Sequence, residues 1–100
     1  MNYILDVDGN PIPCDDSTLW GRWFQTADRI VASDHIGDIH ISTVFLAIDH
    51  NFAGNGAPVL WETMIFGGPQ DGYQQRYSSR EEAVIGHAKA LELASSGVVQ

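Results

Sequence analysis

The chain is poor in cysteine and in basic residues, and each shortage excludes certain structural features and binding partners. Cys14 is the single cysteine, so an intrachain disulfide is excluded and no Cys/His zinc spacing exists. We expect it to be a small buried side chain rather than a nucleophile. Five lysines and arginines stand against thirteen aspartates and glutamates, which gives a formal net charge of −8. Direct binding to nucleic acid or to an anionic lipid surface is not expected, because it requires cationic side chains that displace counterions.

Long apolar runs are also lacking. No window approaches the roughly 20 apolar residues of a membrane helix, and the N-terminus has neither the basic nor the apolar segment of a signal peptide. Together with the lone cysteine, this predicts a protein of a reducing cytoplasm that does not contact membranes. The 100 residues, 44% of them hydrophobic, suffice for one domain with a real core over residues 1–100.

Two β-prone runs, residues 39–50 and 59–66, dominate the middle of the chain. The first alternates with period two, and both of its faces are apolar from Val44 to Ile48. This pattern favours a central strand that is covered on both sides, or covered on one side with a partner on the other. Further strands are predicted at residues 3–7, 29–33 and about 73–77, with a turn over 34–38.

Two segments have helical periodicity. The first, residues 18–28, follows a run of N-cap candidates and carries Trp20 and Trp23 on one side. The second starts at a capping box near residue 78, carries a stripe of alanines that includes His87, and ends near a glycine. The sequence therefore predicts an α+β domain: a small antiparallel sheet of about four strands with two helices packed on it, in the order β-α-β-β-β-α.

The sharpest candidate for chemistry is His87, which should face the sheet from the second helix. A buried imidazole needs a hydrogen-bond partner, and Asp49, His50 and Glu62 near strand ends are the available ones. A histidine paired in this way could act as a general base or a metal ligand. It could equally be a core residue whose hydrogen bond is satisfied. Neither metal nor cofactor is expected, because adjacent Asp49 and His50 point to opposite faces and no HxH or HExxH spacing exists. If its strand face is buried, Glu62 needs Arg76, His87 or a hydroxyl such as that of Tyr77 as a partner, and a structural ion pair is favoured over catalysis.

The chain resembles a known family from residue 3 to about residue 94, and several segments carry the resemblance. They are WGRWF at 20–24, ISTVFLAIDHNF at 41–52, LWETMIFGG at 60–68, RYS at 76–78, EEA at 81–83 and GH at 86–87. In these segments the chain is similar to a family of short uncharacterised proteins from phages and prophages of bacteria. The family lends no established activity. The resemblance implies an accessory protein that acts in the cytoplasm of the bacterial host.

The sequence is therefore compatible with three functions. The first is a non-enzymatic phage protein that binds a host or phage protein with a basic surface, for example as an inhibitor of host defence of the anti-CRISPR or nucleic-acid-mimic kind. The second is a small enzyme or small-molecule binder with a pocket of Asp49, His50, Glu62 and His87. The third is a structural or self-assembling phage protein whose open sheet edge forms a homodimer. The candidate partner-binding residues are two tryptophans and five aspartates: Trp20, Trp23, Asp15, Asp16, Asp34, Asp38 and Asp71.

Overall fold

A computed structural model describes residues 1–53 and 55–96 and confirms the α+β class. Its elements are β1 (Tyr3–Leu5), β2 (Pro11–Pro13), α1 (Ser17–Thr26), β3 (Ile30–Ile36), β4 (Ile39–Phe45), β5 (Trp61–Phe66), β6 (Gln74–Tyr77) and α2 (Arg80–Ser96). Strands β3 to β6 form a four-stranded antiparallel sheet in sequence order. The segment after β1 folds back as β2 and pairs with β1 in a small hairpin.

Strand β3 is longer than predicted, and this changes which side chains face the helices. The prediction placed a strand at residues 29–33 and a turn over 34–38, whereas β3 continues to Ile36. The turn is confined to Gly37 and Asp38, where Gly37 adopts a φ of 58° that glycine tolerates best. The prediction was wrong because Asp34 is a turn former by type, while its pairing with Ile41 keeps it extended.

Strand β4 ends at Phe45 instead of continuing to residue 50 as predicted. Ala47 has a φ of 67°, a left-handed conformation that no extended strand contains. The resulting bend turns the Ala47 carbonyl toward the N-terminal segment, where it accepts hydrogen bonds from Tyr3 N at 2.8 Å and Trp20 Nε1 at 3.2 Å. A partner in tertiary structure therefore overrides the local β preference of the sequence. The next strand, β5, likewise starts at Trp61 rather than at residue 59.

Helix α2 lies across the sheet through a stripe of small residues, as predicted. Its buried residues are Ala83, Gly86, His87, Ala90 and Ala94. They pack on the side of the sheet where Ile41, Phe45 and Ile65 are fully buried. Because each large apolar side chain contributes roughly 1.5–3 kcal/mol on burial, this layer supplies much of the stability of the domain.

Helix α1 and the β1–β2 hairpin cover the remaining part of the same side. Asp16 caps α1, since its Oδ1 accepts from the backbone N–H groups of Thr18 and Leu19, each at 3.0 Å. The Trp23 ring meets Phe45 edge to face with centroids 6.0 Å apart, and Trp20 packs against the same core cluster. Both tryptophans are partly buried, so the aromatic side of α1 serves mainly to attach this helix to the core.

Candidate functional site

The two sides of the four-stranded sheet differ sharply. The helices and the hairpin pack on one side. The other side, called here the open face, has no helix or strand on it within the part of the chain that the structure describes. Its side chains form three cross-strand rows: Ile30, Val44, Glu62 and Arg76; Ser33, Ser42, Met64 and Gln74; and His35, His40 and Phe66. Ile30 is 60% exposed and Phe66 46% exposed, so the open face presents large apolar side chains to solvent.

The third row of the open face consists of aromatic rings. His35 and His40 stack in parallel with centroids 4.3 Å apart, and His40 lies 5.8 Å from Phe66. Ser33 Oγ is hydrogen-bonded to His40 Nε2 at 2.8 Å, which fixes the orientation of that ring. The row therefore presents a parallel pair of imidazole rings with a tilted phenyl ring beside it.

Formal charges cancel on the open face. Glu62 Oε2 accepts from Arg76 Nε at 2.9 Å and from Gln74 Nε2 at 2.5 Å. A structural ion pair was favoured for this carboxylate, and Arg76 is the one of its three candidate partners that forms it. With neutral histidines the open face has no net charge, although the whole chain has −8. Exposed aspartates stand at its two ends: Asp28 before β3, and Asp38 and Asp71 in the loops at the other end.

A buried chain of hydrogen bonds runs under the helix on the opposite side of the sheet. His87 Nε2 is 2.7 Å from Asp34 Oδ2, and His87 Nδ1 is 2.7 Å from Thr43 Oγ1. Thr43 Oγ1 is 2.5 Å from Thr63 Oγ1, to which the Tyr77 hydroxyl donates at 3.1 Å. These five residues are called the relay below. Both threonines are fully buried and His87 is 5% exposed.

The side-chain partner of His87 at Nε2 differs from the partners predicted. We expected Asp49, His50 or Glu62, but Glu62 lies on the open face and the other two follow the end of β4. The partner is Asp34, which the longer β3 places on the helix-facing side by the alternation of its residues. Sequence reasoning missed it because the last three residues of β3, which include Asp34, were predicted to belong to a turn.

The direction of the hydrogen bonds in the relay follows from donor counting. A carboxylate only accepts, so Nε2 of a neutral His87 carries the hydrogen and Nδ1 accepts from Thr43. Thr43 then accepts from Thr63, and Thr63 accepts from Tyr77. Burial raises the pKa of Tyr77, although its hydrogen bond to Thr63 lowers it somewhat, so the phenol remains a donor. Every hydroxyl in the relay thus points toward Asp34.

Asp49 and His50 shape the loop between β4 and β5. Asp49 Oδ1 accepts from Asn51 N and Val59 N, both at 2.8 Å, and these two bonds lower the pKa of Asp49. His50 Nδ1 is bonded to the carbonyl of Ile48 at 2.7 Å. The four residues of the hypothetical enzyme pocket therefore lie at three separate places. Over residues 1–53 and 55–96, no three His, Cys, Asp or Glu side chains converge as a metal site requires.

The aspartates expected to bind a partner differ in what they contact. Asp16 caps α1, Asp34 belongs to the relay, and Asp71 accepts from Gly67 N at 2.7 Å. Asp15 and Asp38 are exposed. Several of these carboxylates thus have a structural contact already, and Asp38 and Asp71 also border the open face.

A cavity of about 390 Å³ opens between β6 and α2. It is lined by Tyr73, Gln75, Tyr77, Glu82, Ile85, Gly86 and Lys89. The hydroxyl end of the Tyr77 ring lies directly over Gly86, where any Cβ would overlap it. The donor end of the relay therefore stands beside this cavity.

No family model, curated protein or solved structure matches this chain. The candidate sites are therefore interpreted from geometry and chemistry. The helices within the described ranges are too short or too polar to cross a membrane.

Proposed function

We propose that this protein acts by binding a protein partner through the open face, and that the partner presents an apolar surface bordered by basic side chains. The observation that supports the proposal most directly is a formally neutral and partly apolar sheet face on a chain of net charge −8. Protein interfaces have a central region depleted of charge and a polar rim. The open face has the same arrangement, with the aspartates Asp28, Asp38 and Asp71 at its ends.

Charge also favours a different protein over a second copy of this chain. Two copies joined through their open faces would bring acidic ends and two charges of −8 together. A basic border on the partner would instead be attracted, which increases the association rate and disfavours partners with an acidic border. Strand β4 is covered by α2 on one side, and its other side contributes His40, Ser42 and Val44 to the open face.

The kind of partner rests on the resemblance to phage and prophage proteins. On that basis we propose an accessory protein that acts in the cytoplasm of an infected bacterium on a host or phage protein. Inhibition of a host defence protein with a basic channel is the form that fits the charge best, since carboxylates can occupy sites that bind phosphates.

Affinity capture with a matched pair of variants tests the proposal. Phe66 lies on the open face, whereas Phe52 is 82% exposed in the loop after β4. Tagged wild-type protein, Phe66→Ser and Phe52→Ser are incubated with bacterial lysate at low salt. We expect the wild type and Phe52→Ser to retain the same partner, Phe66→Ser to lose it, and rising salt to release it.

Two results would contradict this function. A partner retained equally by Phe66→Ser would place the binding site elsewhere on the molecule. A partner whose binding is unchanged by salt would remove the basic border from the proposal. Both phenylalanines are exposed, so both variants should keep the fold, which circular dichroism can check.

A further inference from the structure

We propose that the cavity between β6 and α2 binds a small monocarboxylate with an apolar body, and that binding is coupled to uptake of a proton by His87. This site is separate from the open face, and the inference does not depend on the proposed function. It rests on the continuity of the relay and on the residues that line the cavity.

The relay has one property that its geometry imposes. Thr63 Oγ1 has two hydroxyl neighbours, those of Thr43 and Tyr77. When His87 is neutral, every hydroxyl donates toward Asp34. When His87 takes up a proton, Nδ1 becomes a donor to Thr43. Thr43 must then donate to Thr63, and Thr63 to the oxygen of Tyr77, because a buried hydroxyl hydrogen without an acceptor is costly.

This reversal releases the hydrogen of the Tyr77 hydroxyl. The ring end of Tyr77 lies over Gly86, and both residues line the cavity. A ligand atom that accepts this hydrogen bond therefore favours the protonated state of His87, and protonated His87 favours the ligand. The linkage is reciprocal, as any coupling between two binding equilibria must be.

The lining determines the class of ligand. Lys89 supplies a cation three residues after Gly86, on the same face of α2. The side chains of Tyr73 and Ile85 supply apolar walls. Glu82 lies seven residues before Lys89, about 10 Å along the helix axis, and disfavours a ligand with two negative charges. A single carboxylate near Lys89 and Tyr77 with an apolar body satisfies all of these groups.

The groups around His87 leave few other sources of a pH effect. On the helix-facing side of the sheet, the titratable residues of β3 and β6 are Asp34 and Tyr77, and the facing residues of β4 and β5 do not titrate. Tyr73, Glu82 and Lys89 line the cavity itself. Among these types of side chain, histidine is the one whose charge ordinarily changes near neutral pH.

Benzoate is the probe that tests the inference, with benzamide as a neutral analogue and phenyl phosphate as a dianion. Binding to the full chain is followed through the backbone amide signals of Gly86 and Lys89. Calorimetry in two buffers with different ionisation enthalpies counts the protons taken up. We expect benzoate to bind more tightly than both analogues, with proton uptake, and with an affinity that rises as the pH is lowered.

Two variants distinguish the coupling to proton uptake from the direct contact between the Tyr77 hydroxyl and the ligand. Thr63→Val leaves Tyr77 no partner in the core, so its hydrogen points to the cavity at every pH. This variant should bind benzoate at least as tightly as the wild type, without proton uptake. Tyr77→Phe removes the donor and should weaken binding by about tenfold or more. The amide spectrum of each variant reports whether the fold is kept.

The inference is overturned if benzoate leaves the signals of Gly86 and Lys89 unchanged, or if benzamide binds equally well. It is also overturned if Thr63→Val takes up as many protons as the wild type, because the coupling would then not run through the hydroxyls. A fully buried threonine pair that served only to pack α2 on the sheet would produce these results.

Discussion

At the scale of single residues, Asp49 gives the clearest dependence on pH. Hydrogen bonds from Asn51 N and Val59 N lower the pKa of its carboxyl in the folded state. Its contribution to stability is therefore complete above the unfolded pKa of about 4 and is lost as the pH falls through the folded pKa. Asp49→Asn keeps an acceptor oxygen without the charge, so the wild type should be more stable than the variant at neutral pH.

That difference should shrink as the pH is lowered from about 5 to 2. Urea denaturation midpoints of the wild type and Asp49→Asn across this range measure it, and the other carboxylates cancel because both proteins have them. A difference that stayed constant down to pH 2 would mean that the charge of Asp49 does not contribute.

Two helical glycines provide a matched pair at the same scale. A Cβ on Gly86 would overlap the hydroxyl and ring of Tyr77, whereas nothing lies within 4 Å of a Cβ on Gly21. Glycine to alanine normally stabilises a helix by up to about 1 kcal/mol, and we expect this gain for Gly21→Ala. Gly86→Ala should instead destabilise the protein by about 1–3 kcal/mol, because Tyr77 must move. Thermal or urea unfolding measures the sign of the change in stability for each variant. Equal changes in the two variants would mean that Tyr77 moves aside without a cost in free energy.

At the scale of elements, α1 is preceded by two neighbouring aspartates, of which only the second caps the helix. Asp16 accepts from two backbone N–H groups at the start of α1, and its neighbour Asp15 is exposed. We expect Asp16→Ala to lower the free energy of unfolding by about 1 kcal/mol and Asp15→Ala to change it by much less. Urea denaturation measures both. Equal losses would show that the charge of this segment matters and the cap does not.

The elements also show what sequence patterns can and cannot provide. The two helices and the paired strands β4 and β5 were predicted, because periodicity and capping signals are local properties of the chain. The ends of strands were not, because Asp34 is held extended by Ile41 across the sheet and Ala47 is bent by contacts with Tyr3 and Trp20. The burial of His87 was predicted and its partner was not, since that partner depended on where β3 ended.

At the scale of the whole molecule, the open face could not be inferred from periodicity. The apolar alternation of residues 39–50 was compatible with cover on both sides or on one. Only the placement of both helices and the hairpin on one side leaves the other side uncovered by the described residues. The same placement concentrates charge away from that face, so its neutrality is a consequence of topology as much as of composition.

The open face and the net charge predict opposite effects of salt on two kinds of association. Salt should weaken binding to a basic partner and should favour self-association of this chain. At neutral pH and low salt, repulsion between chains of −8 should keep this protein monomeric. In about 1 M sodium sulfate the Debye length falls to roughly 3 Å or less and apolar contacts strengthen, so copies should begin to associate through the open face. Light scattering across protein concentrations measures this. Phe66→Ser should suppress the association and Phe52→Ser should not. A stable dimer at low salt would instead show that the acidic ends do not oppose one another, and the charge reason for a basic partner would fail with it.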